Sequence, residues 1–313
     1  MNYFVIGGAG FIGSHLVDSL LKDKSAKVTV YDNLSSGKYK FVKHHESNPN
    51  FHFIRGDILN VKKLIDAIKN HDFVFHLAAN PDIRLGMKKT RLDFEINTIG
   101  TLNVLDAMVK FKIKKFAFTS TSTVFGEPSN VPTSEAYGPS LPVSLYGASK
   151  LACEGFVSAY STMYGIKSWI FRLANIIGDR STHGIIFDFM KKIRKNPKEL
   201  EVLGDGNQSK SYLTVGMLIE AMLHVINHSD SRDSTVILLN VSNEDRLSVK
   251  RIVEIFLEER KLAPKVVFTG GRGGWKGDVP VMHLSIEKIK EYGWKPRMGS
   301  EECIKEAIRN LPK

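Results

Sequence analysis

Tyr146 and Lys150 stand four residues apart in the run Ser144-Leu145-Tyr146-Gly147-Ala148-Ser149-Lys150. A phenol has an ordinary pKa of about 10, so it takes a proton near neutrality only when nearby positive charge stabilises the phenolate. A lysine one helical turn away supplies such charge. The i, i+4 spacing places both side chains on one helix face, and Leu145 to Tyr160 has the apolar spacing of a helix. A tyrosine base of this kind suits alcohol oxidation, in which the hydroxyl proton leaves as a hydride passes to an acceptor. Tyr and Lys at this spacing also make an ordinary, partly solvated helix face, so the pair needs a second feature beside it.

That feature lies at the N-terminus. Tyr3 to Ile6 reads as a short buried strand, followed by Gly7-Gly8-Ala9-Gly10-Phe11-Ile12-Gly13 and a helical pattern from Ser14 to Leu21. In such a turn Gly7 permits the tight bend, Gly10 lets a pyrophosphate approach the backbone, and Gly13 lets helix and strand pack closely. The free N–H groups of the helix start face the phosphates. A second strand, Val28 to Tyr31, ends in Asp32, where an acid binds the adenosine ribose hydroxyls. A carboxylate there favours NAD over the 2′-phosphate of NADP, and Asn33-Leu34-Ser35-Ser36-Gly37 offers no arginine to offset it; Lys38 and Lys40 are the nearest cations. The other reading of these glycines is a surface turn before a helix.

Further strands are expected at 51–54, 73–77, 116–119 and 168–173, with helices near 61–68 and from about Arg91 to Lys110. Their alternation predicts an α/β fold, a Rossmann-type doubly wound parallel sheet, with a smaller mixed α/β C-terminal substrate domain. In such sheets ligands sit beyond the carboxyl ends of the strands, where Gly7, Asp32, Asp57, Ala78, Thr121 and Asn175 fall. Past residue 176, helices are expected at 185–194, 215–227, 249–259, 286–292 and 301–310, with Val236 to Val241 returning to the sheet. The expected division is residues 1–175 plus about 207–242 for the dinucleotide, and about 176–206 plus 243–313 for a substrate.

The 313 residues are 42% hydrophobic and 25% charged, values of a globular chain with a sizeable core. No apolar stretch approaches a membrane span and no leader pattern is present, so no membrane association is expected. Cys153 and Cys303 have no metal-ligand spacing; no metal is expected, and two thiols suit a reducing cytoplasm. The net charge of +11 comes mainly from scattered lysines. Its densest runs, at 38–43, 110–115 and 191–195, lack the interleaved aromatics of a single-strand platform, so no nucleic-acid partner is expected.

With these motifs in this order, the chain resembles the extended short-chain dehydrogenase/reductase superfamily, in particular its nucleotide-sugar epimerases and dehydratases. The resemblance rests also on Gly56-Asp57-Ile58, His76-Leu77-Ala78-Ala79, Asn97-Thr98-Ile99-Gly100-Thr101, Thr121-Ser122-Thr123-Val124-Phe125-Gly126 and Arg172-Leu173-Ala174-Asn175. It implies tightly held NAD bound by Gly7, Gly10, Phe11, Ile12, Gly13, Asp32, Asn33, Ser36 and Gly37. Asp57 and Ile58 would flank the adenine; Leu77, Ala78, Ala79, Asn97, Thr119, Tyr146 and Lys150 would complete the cofactor site. It further implies Thr121, Tyr146 and Lys150 as catalytic residues, and a homodimer formed partly through the helix of Tyr146.

The resemblance also bears on the reaction. Dehydratases of the family carry an Asp-Glu pair after the catalytic threonine, and related decarboxylases a Glu at the second of these positions; this chain has Ser122 and Thr123. Oxidation followed by re-reduction remains, which is 4-epimerisation of a nucleotide sugar, with UDP-glucose and UDP-galactose the leading pair. The implied substrate residues are Thr121, Ser122, Tyr146, Asn175, Val202, Lys210, Arg272, Asp278 and Met282. Lys210 stands where relatives have a phosphate-binding arginine, and Trp275-Lys276-Gly277-Asp278 replaces Arg-Pro-Gly-Asp, with Arg272 upstream as a substitute. Met282 falls where a bulky tyrosine would exclude N-acetylated sugars. Another nucleotide-sugar enzyme of the superfamily, or a non-catalytic NAD-binding protein, is the alternative reading.

Overall fold

The computed structural model describes residues 1–80, 82–229 and 234–311. The chain falls into two compact units: Met1–Thr121, Leu145–Arg172 and Ile226–Leu239 form the first, Ser122–Ser144, Leu173–Val225 and Asn240–Lys313 the second.

In the first unit, strands β1 (Asn2–Ile6), β2 (Lys27–Asp32), β3 (Phe51–Arg55), β4 (Phe73–His76), β5 (Lys115–Thr121) and β6 (Lys167–Leu173) alternate with helices α1 (Phe11–Leu20), α2 (Val61–Ile68), α3 (Gly100–Lys110) and α4 (Leu145–Tyr164). The strand Val236–Val241, β11 in chain order, completes a seven-stranded sheet in the order β11-β6-β5-β4-β1-β2-β3. This is the doubly wound Rossmann-type α/β architecture, in which strand order reverses beside β1. Phe73–Phe75 of β4 and Phe116–Phe118 of β5 are buried apolar runs, as strands covered on both faces require. The core packs Phe4, Ile6, Tyr31, Val74, Phe116 and Phe118 of the sheet against Val104, Met108, Cys153 and Val157 of α3 and α4. Each fully buried large apolar side chain contributes about 1.5–3 kcal/mol.

Register sets the functional edge. Ile6 pairs with Tyr31 and with His76, and His76 with Phe118, so Gly7, Asp32, Leu77 and Thr119 follow in one row at the carboxyl ends. The segment read from the sequence as one helix from Arg91 to Lys110 is instead a π-helical turn, Phe94–Ile99, running into α3. Likewise α1 begins at Phe11 rather than Ser14, directly after Gly10.

The second unit holds short strands: β7 (Asn175–Ile177), β8 (Glu199–Val202), β9 (Ser209–Lys210), β10 (Tyr212–Thr214), β12 (Leu247–Ser248), β13 (Lys265–Phe268) and β14 (Val281–Met282). They form three small sheets, β10-β7, β12-β9-β14 and β13-β8. Helices α5 (Ile185–Lys195), α6 (Val215–His228), α7 (Val249–Arg260), α8 (Glu287–Glu291) and α9 (Ser300–Arg309) accompany them. Ser248 caps α7 by accepting from the Arg251 N–H at 3.2 Å. By compactness, 207–225 and 122–144 belong to the second unit rather than to the dinucleotide side expected from the sequence. The physical reasons are that β10 pairs with β7, and that Thr133 bonds to His283 through its N–H at 2.8 Å and to Asn240 through its carbonyl at 3.0 Å.

Candidate active site

The glycine turn is built by backbone contacts. Gly7 has φ +77°, and a Cβ there would meet the Ala78 nitrogen at 2.7 Å. A Cβ on Gly13 would lie 2.2 Å from the Gly7 carbonyl oxygen and 2.8 Å from Gly8 Cα. Gly13 is therefore required by the turn itself, where the sequence suggests helix–strand packing. No side chain caps α1 and its first turn holds no acid, leaving its N–H groups suited to an anion.

Asp32 is buried and fixes the turn: Oδ2 accepts from the Ala9 N–H at 2.9 Å and Oδ1 from the Leu34 N–H at 2.8 Å. Burial pushes its carboxyl up, and these two bonds oppose that. Gly37 sits against Ala9 and the Asp32 carboxylate, while Ser36 is exposed. Asn33 donates to Asp57 Oδ2 at 2.9 Å, joining two expected cofactor residues, and Ile58 is buried against Gly100. Phe11, Ile12, Leu77, Ala78 and Ala79 are half-buried along this edge, and Thr119 is buried.

Thr121 ends β5 and is buried, while Tyr146 and Lys150 lie on the first turns of α4. Lys150 is 1% exposed, with Nζ 4.1 Å from the Phe118 ring centroid. Burial pushes its pKa down to about 8. The Tyr146 phenol is pushed up, first by burial and then by the negative charge of Asp93 and by Cys153. In the protein alone Tyr146 therefore holds its proton near neutral pH.

Asn97, on the π-helical turn, accepts from the Asn80 N–H at 3.0 Å and donates to Ser149 Oγ at 2.9 Å; Ser149 Oγ donates to the Tyr146 carbonyl at 2.8 Å. Its role in the structure is to pin the start of α4. His76 Nε2 lies 3.0 Å from Thr101 Oγ1, whose proton goes to the Asn97 carbonyl at 2.6 Å, so the imidazole proton resides on Nε2. Burial and then the Lys150 charge push His76 down to about 3, keeping it neutral.

Sequence reasoning missed two groups. Asp93 is fully buried: Oδ1 accepts from Asn80 Nδ2 at 2.9 Å, and Oδ2 finds no partner among the described residues. Glu154, one turn beyond Lys150, is bound by Arg172 at 2.7 Å and by Ser120 Oγ at 2.5 Å, all three buried. The i, i+4 step from Lys150 to Glu154 was the available signal.

In the second unit the structure joins Lys210, Asp278 and Met282. Lys210 Nζ lies 2.6 Å from Asp278 Oδ1 and 5.4 Å from the Trp275 ring centroid, and Met282 pairs with Lys210 across β14 and β9. The ammonium expected to meet a diphosphate is thus engaged by a carboxylate. Arg272 is exposed and faces Glu127 at 3.3 Å. Val202 and Met282 are buried at 1% and 4%, Ser122 is buried, and Asn175 Nδ2 donates to the Ser211 carbonyl at 3.3 Å.

Sheet order, glycine turn and bracketed acid together define a dinucleotide-binding enzyme fold. The chain matches the profile of the NAD dependent epimerase/dehydratase family over residues 3–239 and belongs to that family. A putative UDP-glucose 4-epimerase of Methanocaldococcus jannaschii is 33% identical, covering 97% of this chain and 96% of the relative. A crystal structure of a UDP-galactose 4-epimerase is similar with TM-score 0.89 and 37% identity, covering 99% and 98% of the two chains. A UDP-N-acetylglucosamine 4-epimerase from Methanobrevibacter ruminantium M1, in complex with UDP-N-acetylmuramic acid, has TM-score 0.87 and 30% identity, covering 99% and 97%. The cofactor is NAD. The N–H groups at the start of α1, which no side chain caps, fit its pyrophosphate.

Proposed function

We propose that the chain catalyses 4-epimerisation of a UDP-sugar, with UDP-glucose and UDP-galactose as the preferred pair. The observation that carries this reading is the Tyr146–Lys150 pair with Thr121, combined with Ser122 and Thr123 where eliminating relatives hold carboxyl groups. NAD, which the Gly7–Gly13 turn and Asp32 would hold, would supply a reversible hydride acceptor and positive charge at the site. Tyr146 takes the 4-hydroxyl proton once that charge offsets burial and Asp93, and gives it back after the 4-keto sugar has presented its other face. Lys150, with its pKa near 8, holds most of its charge at neutral pH. Thr121 orients the same hydroxyl. Asn175, Lys210 and Arg272 serve the nucleotide diphosphate, and Met282 borders the sugar.

A homodimer through α4 is supported by its exposed Phe156, Met163 and Tyr164. No helix among the described residues is long and apolar enough to cross a membrane. The two cysteines are free and buried, which supports a cytoplasmic setting.

The test is incubation with UDP-glucose, UDP-galactose, UDP-N-acetylglucosamine and UDP-glucuronate without added oxidant or reductant, followed by chromatography. Glucose and galactose forms should interconvert, and Tyr146→Phe should slow this by roughly 10² to 10⁴ while retaining NAD. A product that has lost water or carbon dioxide, or an unimpaired Tyr146→Phe, overturns the proposal.

A further inference from the structure

Away from the glycine turn and α4, the fold gathers one set of metal-ligating atoms among the described residues. Asp18 lies on α1, and His44 and His45 belong to the 3₁₀ turn Lys43–His45 between β2 and β3. Spacing gives no hint of this group, since Asp18 and His44 are 26 positions apart. His44 Nε2 and His45 Nε2 stand 2.8 and 2.7 Å from the same atom, Asp18 Oδ1. One ligand atom from each residue lies within 4.8 Å of the others. Successive side chains on a 3₁₀ turn diverge by roughly 120°. Here the two rings converge, with centroids 4.1 Å apart.

Two imidazole nitrogens and one carboxylate oxygen are the donor set of zinc-class divalent ions, whereas magnesium and calcium take oxygen ligands. We propose that Asp18, His44 and His45 bind one such ion through Oδ1 and the two Nε2 atoms, clasping α1 to the segment between β2 and β3. Donors around a tetrahedral zinc with bonds of about 2.0 Å stand roughly 3.3 Å apart. The two contacts therefore open by about half an ångström to admit the ion. Without metal, both Nε2–H groups donate to the carboxylate; on binding, each ring keeps its proton by moving it to Nδ1, and Nε2 becomes the ligand. His44 is half exposed, with His45 and Asp18 at 16% and 25%, which leaves an entry path and room for water as fourth ligand. Asp18 is seven residues beyond Phe11, about 10 Å along the helix from the glycine turn, so the ion braces the fold and stays apart from the chemistry. His45 also lies 5.7 Å from the Phe51 ring at the start of β3, which extends the clasp to that strand.

The test uses the full chain, stripped with chelator, titrated by calorimetry with zinc chloride and separately with magnesium chloride, and melted with and without zinc. One zinc per chain, no magnesium binding, and a zinc-dependent rise in Tm are expected. His44→Ala and His45→Ala should each weaken zinc by at least the roughly 10- to 100-fold that loss of an outer partner of a ligand costs, and abolish the rise in Tm. His44→Ala alters a half-exposed side chain, so its metal-free melting should match the parent. Absence of zinc binding by the parent chain, or parental affinity in either variant, overturns the proposal.

Discussion

At the scale of single residues, the proton on Tyr146 is controlled by groups distant in sequence. Asp93 is buried with Oδ2 unpaired among the described residues, and its negative charge is the second cause, after burial, that pushes the phenol up. Asp93→Asn removes the charge and keeps an oxygen for Asn80 Nδ2. In the proposed cycle Tyr146 must lose its proton to act, so lowering its pKa should move the acid limb of kcat/KM to lower pH. In the same proposed cycle Lys150 must keep its charge, so activity should fall as pH rises through about 8 in both proteins. A pH profile of epimerisation measures both limbs; an unmoved acid limb would remove Asp93 from the proton balance. Tyr146 and Lys150 read as a candidate pair because their i, i+4 spacing is local, whereas Thr121, 25 residues upstream, entered only with the family motif. Asp93 was not legible, because its effect depends on the turn that carries it inward.

The elements show what periodicity records and what it omits. Buried runs such as Phe73–Phe75 and Phe116–Phe118 read directly as strand cores, because each is short, apolar and covered on both faces. The π-helical turn Phe94–Ile99 did not, since a local change of hydrogen-bond register leaves the apolar spacing nearly intact. The turn nonetheless places Asn97 to hold Asn80 on one side and Ser149 on the other. In the second unit, two- to four-residue strands carry too little alternation to announce themselves, and Lys210's pairing with Asp278 joins residues 68 apart. The glycine turn combines both cases: its motif was visible, and the reason for Gly13 was not. Gly13→Ala would drive a Cβ into the Gly7 oxygen and Gly8 Cα, backbone atoms that cannot swing aside. A loss of about 1–3 kcal/mol is expected on the cost of overpacking. NAD affinity should fall with it, because the turn must open. Denaturant unfolding and NAD titration check both; unchanged values would show that the turn tolerates the methyl.

For the molecule as a whole, the decisive fact is that the first unit is assembled from three separate stretches of chain. The motifs expected to bind NAD all lie before residue 176, which invites the view that residues 1–175 form a self-sufficient domain. Topology argues otherwise. β11, from residues 236–241, covers β6 in the sheet, and Ser168 N–H bonds to the Thr235 carbonyl at 2.9 Å. Every residue of β6 from Ser168 to Leu173 is buried. A chain ending at 175 would leave β6 as a long apolar edge with unpaired N–H and C=O groups, a template for pairing with other chains. It would also strand Ser122–Ser144, whose Thr133 is held by His283 and Asn240 of the second unit. Such a chain should therefore aggregate, or melt without a cooperative transition, even though it contains each glycine, Asp32, Tyr146 and Lys150. Size-exclusion chromatography and thermal unfolding decide the matter: a soluble 1–175 chain that melts cooperatively and binds NAD as the full chain does would show that β11 is dispensable.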